Sequence, residues 1–292
     1  MRPAMHPFRY ERPSTLAEAV DLLFRHGAQA QIIAGGTDLM IGLRDRTIRP
    51  EVVLDLKRLP ELEPRIHVID GRLSITAGTV MSDIETDATI AEHFPALAEA
   101  AAVVGSVQIR NRATLAGNLC NASPAADTAP PLLVYQADVL AFGPTGPRRI
   151  PISDFFVRSR QTTLERGELV TAVELPMPAR PLAAAYMRLT RRRGTDLASI
   201  TLCCGVDRAG ITRVAYGSVG PRPLAFVDES GVLADPSAPD GAKAPILEAM
   251  LAAATPSARS VRASPEYRLA MLRVLAMRAL RAAISRLDAR AA

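Results

Sequence analysis

Pro176, Pro178 and Pro181 divide the chain into two parts that are expected to fold separately. Three prolines so close together interrupt any regular element and are typical of a boundary between domains. The length of 292 residues also favours two domains, since one domain takes up roughly 150 residues. We therefore predict a first domain over residues 1–178, with subdomains of about 1–57 and 58–178, and a second domain over residues 182–292.

The first subdomain carries the pattern of a small βαβ unit. Thr15 and Glu18 form a capping box, which predicts a helix that ends at Gly27. An apolar strand over residues 30–34 is followed by a glycine turn and then by a short helix or strand. A further strand over residues 52–56 closes the unit.

The second subdomain changes to short alternating strands. An Asp-Gly pair at residues 70–71 separates two alternating runs at residues 66–69 and 73–77, which is the signal of a β-hairpin. A helix is predicted over residues 95–104. This part of the chain therefore mixes strands and helices.

The part after the prolines is predicted to combine strands with one long helix. Strand-like runs occupy residues 200–206 and 213–219, and an Asp-Gly pair at residues 240–241 is predicted to lie in a long polar loop. The last helix is expected to start after Ser264 as N-cap, with Pro265 at the first helical position. Both domains are therefore predicted to combine strands and helices.

Charge, cysteine content and hydropathy exclude several classes of protein. The net charge is +5, which is typical of an ordinary solvated surface. Aromatic residues make up 4%, which disfavours a protein that binds nucleic acid by stacking bases on aromatic side chains. Cys120, Cys203 and Cys204 fit neither a disulfide framework nor a CxxC metal site. No run approaches the roughly 18 apolar residues of a membrane span. We therefore predict a soluble, cytoplasmic protein.

No group of side chains predicts catalysis by the protein itself. The sequence shows no Ser/His/Asp arrangement, no HExxH motif and no carboxylate dyad. The histidines are scattered singly along the chain, at His6, His26, His67 and His93. Any chemistry is therefore expected to come from a cofactor.

Two glycine-containing segments carry the strongest functional signal. Residues 34–38 read Ala-Gly-Gly-Thr-Asp, and residues 114–118 read Thr-Leu-Ala-Gly-Asn. Loops of this kind bring backbone N–H groups together into anion sites, because glycine allows a phosphate to approach closely. Neither segment ends in Gly-Lys-Ser/Thr, and the first is not GxGxxG, which disfavours a nucleotide triphosphatase. The pair predicts a diphosphate ligand that is held by two loops.

Three longer segments resemble the FAD-binding medium subunit of the molybdenum hydroxylases, a family that includes the flavoprotein components of carbon monoxide dehydrogenase, 4-hydroxybenzoyl-CoA reductase and xanthine dehydrogenase. They are IIAGGTDLM at residues 32–40, QIRNRATLAGNLCNASPAADTAP at 108–130 and FFVRSRQTTLERGELVTAVELPMP at 155–178. The resemblance extends over essentially the whole chain. It implies a two-subdomain FAD-binding domain of the vanillyl-alcohol-oxidase (PCMH) type, followed by a smaller C-terminal α+β domain.

The same resemblance implies which residues hold FAD. The pyrophosphate would be bound through the backbone amides of the first loop, which consists of Ala34, Gly35, Gly36, Thr37 and Asp38. The second loop consists of Thr114, Leu115, Ala116, Gly117 and Asn118. It matches the family segment Thr-x-Gly-Gly-Asn except at Ala116, which replaces a glycine. Asp127 would accept hydroxyl groups of the FAD sugar chain, with capping of the following helix as the alternative.

Near the flavin ring the resemblance implies fewer contacts. Arg188 would place a positive charge beside the flavin. Leu197 stands where the family often has an aromatic residue, and an aliphatic side chain cannot stack on the ring. The arginines at residues 191–193 form a solvated turn or else face a negatively charged partner or acceptor. The chain lacks the cysteine-ligated insertion of one family branch, so no iron–sulfur cluster of its own is expected.

The resemblance implies an electron-transfer role within a complex. A small two-iron two-sulfur subunit would supply electrons to FAD, and a large molybdopterin-binding subunit would oxidise the substrate, in a dimer of heterotrimers. Two alternatives remain open. One is a self-sufficient FAD-dependent oxidase or reductase of the same fold, which the missing covalent-attachment His motif disfavours. The other is a basic docking module without a ligand, which the intact glycine loops and Asp127 disfavour.

Overall fold

The computed structural model describes residues 5–180 and 182–289. Within these ranges the chain forms sheets of three, five and four strands and a two-stranded hairpin. Helices lie among all three larger sheets, so the predicted α+β class is confirmed. No helix in the described part of the chain has both the length and the apolar character to cross a membrane.

The N-terminal subdomain is a three-stranded parallel sheet with two helices. Its elements are β1 (Arg9–Glu11), α1 (Leu16–His26), β2 (Ala30–Ile33), α2 (Leu39–Arg44) and β3 (Val52–Asp55). The strand order is β1-β3-β2, and all pairs are parallel. The connection from β2 through α2 to β3 is therefore the predicted βαβ unit, with β1 as an additional parallel strand.

The first helix begins and ends at the residues that its sequence indicates. The hydroxyl of Thr15 accepts a hydrogen bond from the amide of Glu18 at 3.2 Å. The Glu18 carboxylate accepts in return from the amide of Ser14 at 2.7 Å, one residue earlier than in an ordinary capping box. Gly27 follows the helix with a φ of 52°, which glycine adopts at low cost.

The second subdomain is built on a five-stranded antiparallel sheet in the order β4-β5-β10-β6-β7. Its strands and the added hairpin are β4 (Ile66–Ile69), β5 (Arg72–Thr76), β6 (Asp138–Gly143), β7 (Gly146–Pro151), β8 (Phe156–Arg158), β9 (Gln161–Thr162) and β10 (Leu169–Pro176). Its helices are α3 (Met81–Thr86), α4 (Ala88–His93), α5 (Pro95–Ala102), α6 (Val107–Arg110), α7 (Leu115–Cys120), α8 (Ala129–Val134) and α9 (Ile152–Phe155).

The predicted hairpin turn lies between β4 and β5. Asp70 and Gly71 have φ values of 49° and 69°, so both central residues of the turn are left-handed. A turn of this kind matches the twist of the flanking strands. The register of Ile69 opposite Arg72 follows from this two-residue loop.

Replacing Gly71 with alanine is expected to lower the free energy of unfolding by about 1 kcal/mol, because alanine is strained at positive φ. A Cβ here would meet no described atom within 4 Å, so the cost arises in the backbone alone. Gly241→Ala is the matched control, since position 241 is equally open and its φ is not positive. Urea unfolding measures the difference, and equal midpoints would contradict the left-handed turn.

The C-terminal domain is a four-stranded antiparallel sheet with two helices. Its elements are β11 (Leu182–Leu189), β12 (Ile200–Asp207), β13 (Thr212–Gly217), β14 (Leu224–Asp228), α10 (Asp240–Leu251) and α11 (Pro265–Ala289). Each strand pairs with the next along the chain. As predicted, α11 begins at Pro265, and the hydroxyl of Ser264 accepts from the amide of Tyr267 at 3.3 Å.

The predicted loop around residues 240–241 is wrong, because Asp240 and Gly241 are the first two residues of α10. The apolar residues that hold this helix come later, and Leu247, Met250 and Leu251 are buried at helical spacing. An Asp-Gly pair is typical of a turn, but in the first turn of a helix an acidic residue is also favourable. Tertiary packing of the later residues therefore outweighs the local signal.

The C-terminal sheet is buried on both faces. Ala184, Tyr186 and Cys203 belong to the core of the first domain, whereas Ala185 and Cys204 belong to the core formed with the two C-terminal helices. This division follows from the strand period of two, which points successive side chains to opposite faces. The first domain therefore packs directly on the sheet that continues its chain.

Small residues allow this close approach between the two domains. A Cβ on Gly205 would lie 2.5 Å from Cγ1 of Val134, far closer than side-chain carbon atoms pack. The consecutive alanines at residues 183–185 are buried completely or almost completely. The position of β11 relative to the first domain is therefore fixed by close packing.

Candidate functional site

The first predicted glycine loop touches the chain directly before the second predicted segment. The first loop, residues 34–38, connects β2 to α2, and the second segment, residues 114–118, forms the N-cap and first turn of α7. A Cβ on Gly35 would lie 2.0 Å from the backbone oxygen of Arg112, so only glycine allows this contact. Segments that are far apart in the sequence therefore form one surface, as two loops that hold a common ligand must do.

The first loop presents a row of unpaired amides. Within residues 5–180 and 182–289, no backbone carbonyl accepts a hydrogen bond from the amides of Gly35, Gly36, Thr37 or Asp38. Gly36 has a φ of 73°, which turns the chain at this point. Backbone N–H groups require partners, and several that converge at one turn form an anion site. We refer to residues 35–38 as the amide cluster.

The second segment is fixed by its own hydrogen bonds. The Thr114 hydroxyl accepts from the amide of Gly117 at 3.0 Å, which caps α7. The amide of Leu115 donates to the carbonyl of Thr79, so the segment is tied to the chain before α3. The methyl group of Ala116, the departure from the family glycine, is buried in the core. The substitution therefore leaves the exposed side of the segment at Gly117 unchanged.

Asp127 is joined to the second segment on one side and to the C-terminal domain on the other. Its neighbour Thr128 donates to Oδ1 of Asn118 at 2.7 Å. Asp127 itself is 91% buried, and its Oδ1 accepts from the hydroxyl of Tyr186 at 2.6 Å. Burial raises the pKa of Asp127 to about 6, against the lowering effects of Arg188 and the Tyr186 hydrogen bond.

The guanidinium group of Arg188 is held in place by three contacts. Its Nη1 donates to the carbonyl of Val103 at 2.8 Å and its Nη2 to the carbonyl of Asp196 at 2.6 Å. Its Nε lies 3.4 Å from Oδ1 of Asp127. Arg188 therefore supplies a fixed positive charge next to Asp127, the buried carboxylate that the sequence had predicted as a contact of FAD. We refer to Asp127, Tyr186 and Arg188 as the interdomain junction.

Tyr186 is the residue at this site that sequence analysis missed. It precedes Arg188 by two positions on β11, so both side chains point to the same face of the sheet. Its amide donates to the carboxylate of Glu99 at 3.1 Å. Burial and the charge of Asp127 raise the pKa of Tyr186 well above its usual value, so the phenol is a hydrogen-bond donor at neutral pH. Its spacing from Arg188 was the signal that could have identified it.

The turn after β11 is held by contacts of its own. Arg191 pairs with Asp196 at 2.9 Å, and this bond holds the pKa of Asp196 down at about 2. Arg192 donates to the carbonyl of Thr195, whose hydroxyl donates to the carbonyl of Gly105. These bonds fit the predicted solvated turn. Leu197 is 58% exposed just beyond the turn.

Connected contacts therefore link the predicted site residues. They run from the amide cluster through residues 112–118 and Thr128 to the interdomain junction. The unpaired amides fit a diphosphate. Oδ2 of Asp127 has no hydrogen-bond partner among the described residues and fits a ligand hydroxyl group. An elongated ligand with a diphosphate and a polyhydroxyl chain, such as FAD, matches both ends of this surface.

Two family models match the chain. A model described as FAD binding domain in molybdopterin dehydrogenase matches residues 6–178. A second, described as CO dehydrogenase flavoprotein C-terminal domain, matches residues 184–283. The first matched range ends just after β10, and the second begins within β11.

Relatives and a solved structure match over most of their length. The xanthine dehydrogenase FAD-binding subunit of Escherichia coli O157:H7 is 31% identical over 281 residues, which cover 94% of this chain and 96% of that protein. The nicotinate dehydrogenase FAD-subunit of Eubacterium barkeri is 36% identical over 231 residues, which cover 76% of this chain and 78% of that protein. The structure of reconstituted CO dehydrogenase from Oligotropha carboxidovorans contains a chain that matches with a TM-score of 0.89 and 28% identity, over 97% of this chain and 100% of that one. The chain therefore belongs to the family of FAD-binding domains of the molybdopterin dehydrogenases.

Proposed function

We propose that this chain is the FAD-binding electron-transfer subunit of a molybdenum-containing hydroxylase or dehydrogenase. The observation that carries the proposal is the amide cluster. It contacts Arg112 and Ala113, directly before the second glycine segment, and that segment is linked through Thr128 to the buried carboxylate of Asp127. The names of the relatives, FAD-binding subunits of xanthine and nicotinate dehydrogenases, support it.

The residues of the chain would bind and orient the cofactor. The amides of residues 35–38 would bind the diphosphate, and the second segment, residues 114–118, would close over it together with Ala34. Asp127 would accept a hydroxyl group of the sugar chain, and Arg188 would hold a positive charge near the flavin. Bound FAD would supply the redox chemistry, by which electrons from an iron–sulfur partner reach an external acceptor.

The proposed partners are a large molybdopterin-binding subunit and a small two-iron two-sulfur subunit, assembled as a dimer of heterotrimers. The similarity to a chain of a CO dehydrogenase, which extends over 97% of the present chain, supports an assembly of this kind. We also propose a cytoplasmic location. It is supported by Cys120, Cys203 and Cys204, which are free thiols, as is usual in a reducing compartment.

The isolated chain is expected to bind one FAD, to be reduced by dithionite, and to oxidise no organic substrate without its partners. The reason is that the site residues bind and orient a cofactor, whereas substrate oxidation is assigned to the molybdenum subunit. Flavin absorbance with and without dithionite measures the first two results. Turnover of aldehydes, alcohols and N-heterocycles with a dye acceptor, before and after addition of the two partner subunits, measures the third.

The outcomes separate the three candidate functions. Turnover only after addition of both partners supports the proposal. Steady turnover by the chain alone would favour a self-sufficient oxidase or reductase of the same fold. A folded chain that takes up no FAD would favour a docking module without a cofactor.

A further inference from the structure

We propose that Tyr186 is a positioning residue of the FAD site, whose hydroxyl fixes one oxygen of Asp127 so that the other faces the sugar chain of FAD. The inference rests on the proposed FAD binding and adds to it a residue of the C-terminal domain. It starts from the asymmetric use of the Asp127 carboxylate. Oδ1 accepts from the Tyr186 hydroxyl at 2.6 Å and lies 3.4 Å from Nε of Arg188, while Oδ2 has no partner among the described residues.

The tyrosine is the stronger of the two contacts to Oδ1. A phenol at 2.6 Å makes a short hydrogen bond to a carboxylate, whereas 3.4 Å is too long for a good bond from a guanidinium. Nε of Arg188 in fact has no hydrogen-bond partner in the described structure. The orientation of the carboxylate is therefore set by Tyr186, with Arg188 adding a positive charge.

The surroundings prevent Arg188 from replacing the tyrosine. Its two terminal nitrogens are bound to the carbonyls of Val103 and Asp196, so the guanidinium cannot turn toward Asp127 without breaking those bonds. Without the phenol hydroxyl, the Asp127 carboxylate loses its one short hydrogen bond among the described residues, and its orientation is no longer fixed. Oδ2 would then no longer be directed at the ligand.

Tyr186 is itself fixed from several elements. From α5, the Glu99 carboxylate accepts a hydrogen bond from the amide of Tyr186, and Glu99 is paired with Arg286 of α11. From β12, the Cys203 thiol lies in register with Tyr186, and burial keeps this thiol neutral by raising its pKa well above the usual value. Together with Arg188, these are the titratable and charged groups that face the pair.

The test compares FAD affinity across pH in the full-length chain. FAD is titrated by flavin fluorescence from pH 5 to 8 into the wild type, Tyr186→Phe, Asp127→Asn and Tyr216→Phe. In the wild type, affinity is expected to fall as pH decreases through about 6, because protonation of Asp127 weakens it as an acceptor. Tyr216→Phe is the matched control, since its hydroxyl donates to the carbonyl of Met250 inside the C-terminal core.

Tyr186→Phe is expected to bind FAD about tenfold more weakly at pH 7, the usual loss for one hydrogen bond to a charged group. Its affinity should also start to fall at a higher pH than in the wild type, because the hydrogen bond from Tyr186 lowers the pKa of Asp127 and its loss raises that pKa. Asp127→Asn should show no such dependence. Tyr216→Phe should match the wild type.

The remaining outcomes contradict either the proposed function or the positioning role of Tyr186. A wild type that binds no FAD overturns the proposed function. If the wild type binds FAD and Tyr186→Phe has the same affinity and pH profile, the positioning role is wrong. A variant that binds more weakly but keeps the wild-type pH midpoint also overturns it, since such a change would reflect packing alone.

Discussion

Alanine at position 35 is expected to abolish retention of FAD through purification. A Cβ there would lie 2.0 Å from the oxygen and 2.8 Å from the carbon of the Arg112 carbonyl, and 3.0 Å from Cα of Ala113. All three are backbone atoms, so no side-chain rotation relieves the contact. Ala113 is also held on both sides, since its amide donates to Ile109 and its carbonyl accepts from Met81.

The two segments must therefore separate, which displaces the amide cluster from the second glycine segment. The strain of such overpacking is about 3 kcal/mol, which corresponds to roughly a hundredfold loss of affinity if it falls on the bound state. The ratio of flavin to protein after gel filtration measures the result. Gly241→Ala serves as the control, because a Cβ there meets no described atom within 4 Å. A folded Gly35→Ala protein with full flavin content would contradict the assigned site.

Replacing Asp127 with alanine is expected to weaken FAD binding by about 1–3 kcal/mol. The change removes the proposed acceptor for the sugar chain. It also leaves the Tyr186 hydroxyl and the Arg188 guanidinium, both nearly buried, without their carboxylate partner. We therefore expect the ligand-free protein to unfold at a lower temperature as well.

Asp127→Asn separates the two effects, because an amide keeps the size and an acceptor oxygen for Tyr186 but loses the charge. Fluorescence titration at pH 7 gives the affinity, and thermal unfolding of the flavin-free protein gives the stability. Unchanged FAD affinity in Asp127→Ala would assign Asp127 to the interdomain junction alone.

Elements with local signals were predicted correctly from the sequence. The cap at Thr15, the Asp70-Gly71 turn and the start of α11 at Pro265 each depend on residues within four positions of one another. Such short-range hydrogen bonds and backbone preferences are similar in any fold. The α10 helix was missed because its stability comes from packing against other elements.

The contacts that complete the candidate site could not be predicted in the same way. The resemblance indicated Asp127 and Arg188 separately, but the bond between Tyr186 and Asp127 joins residues 59 positions apart. The contact of Gly35 with Arg112 is equally long-range. Neither leaves a periodic pattern in the sequence, because each depends on how two domains or subdomains pack.

The sheet that is buried on both faces determines how far this protein can be divided. A cut between residues 178 and 182 would follow the boundary of the two matched families. However, it would uncover the apolar surface around Val134 that receives Gly205, and it would remove both Tyr186 and Arg188 from Asp127. An isolated N-terminal fragment would thus be prone to aggregate, and its candidate FAD site would be incomplete. For grafting, crystallisation or chimaera design, the indivisible unit is the whole chain.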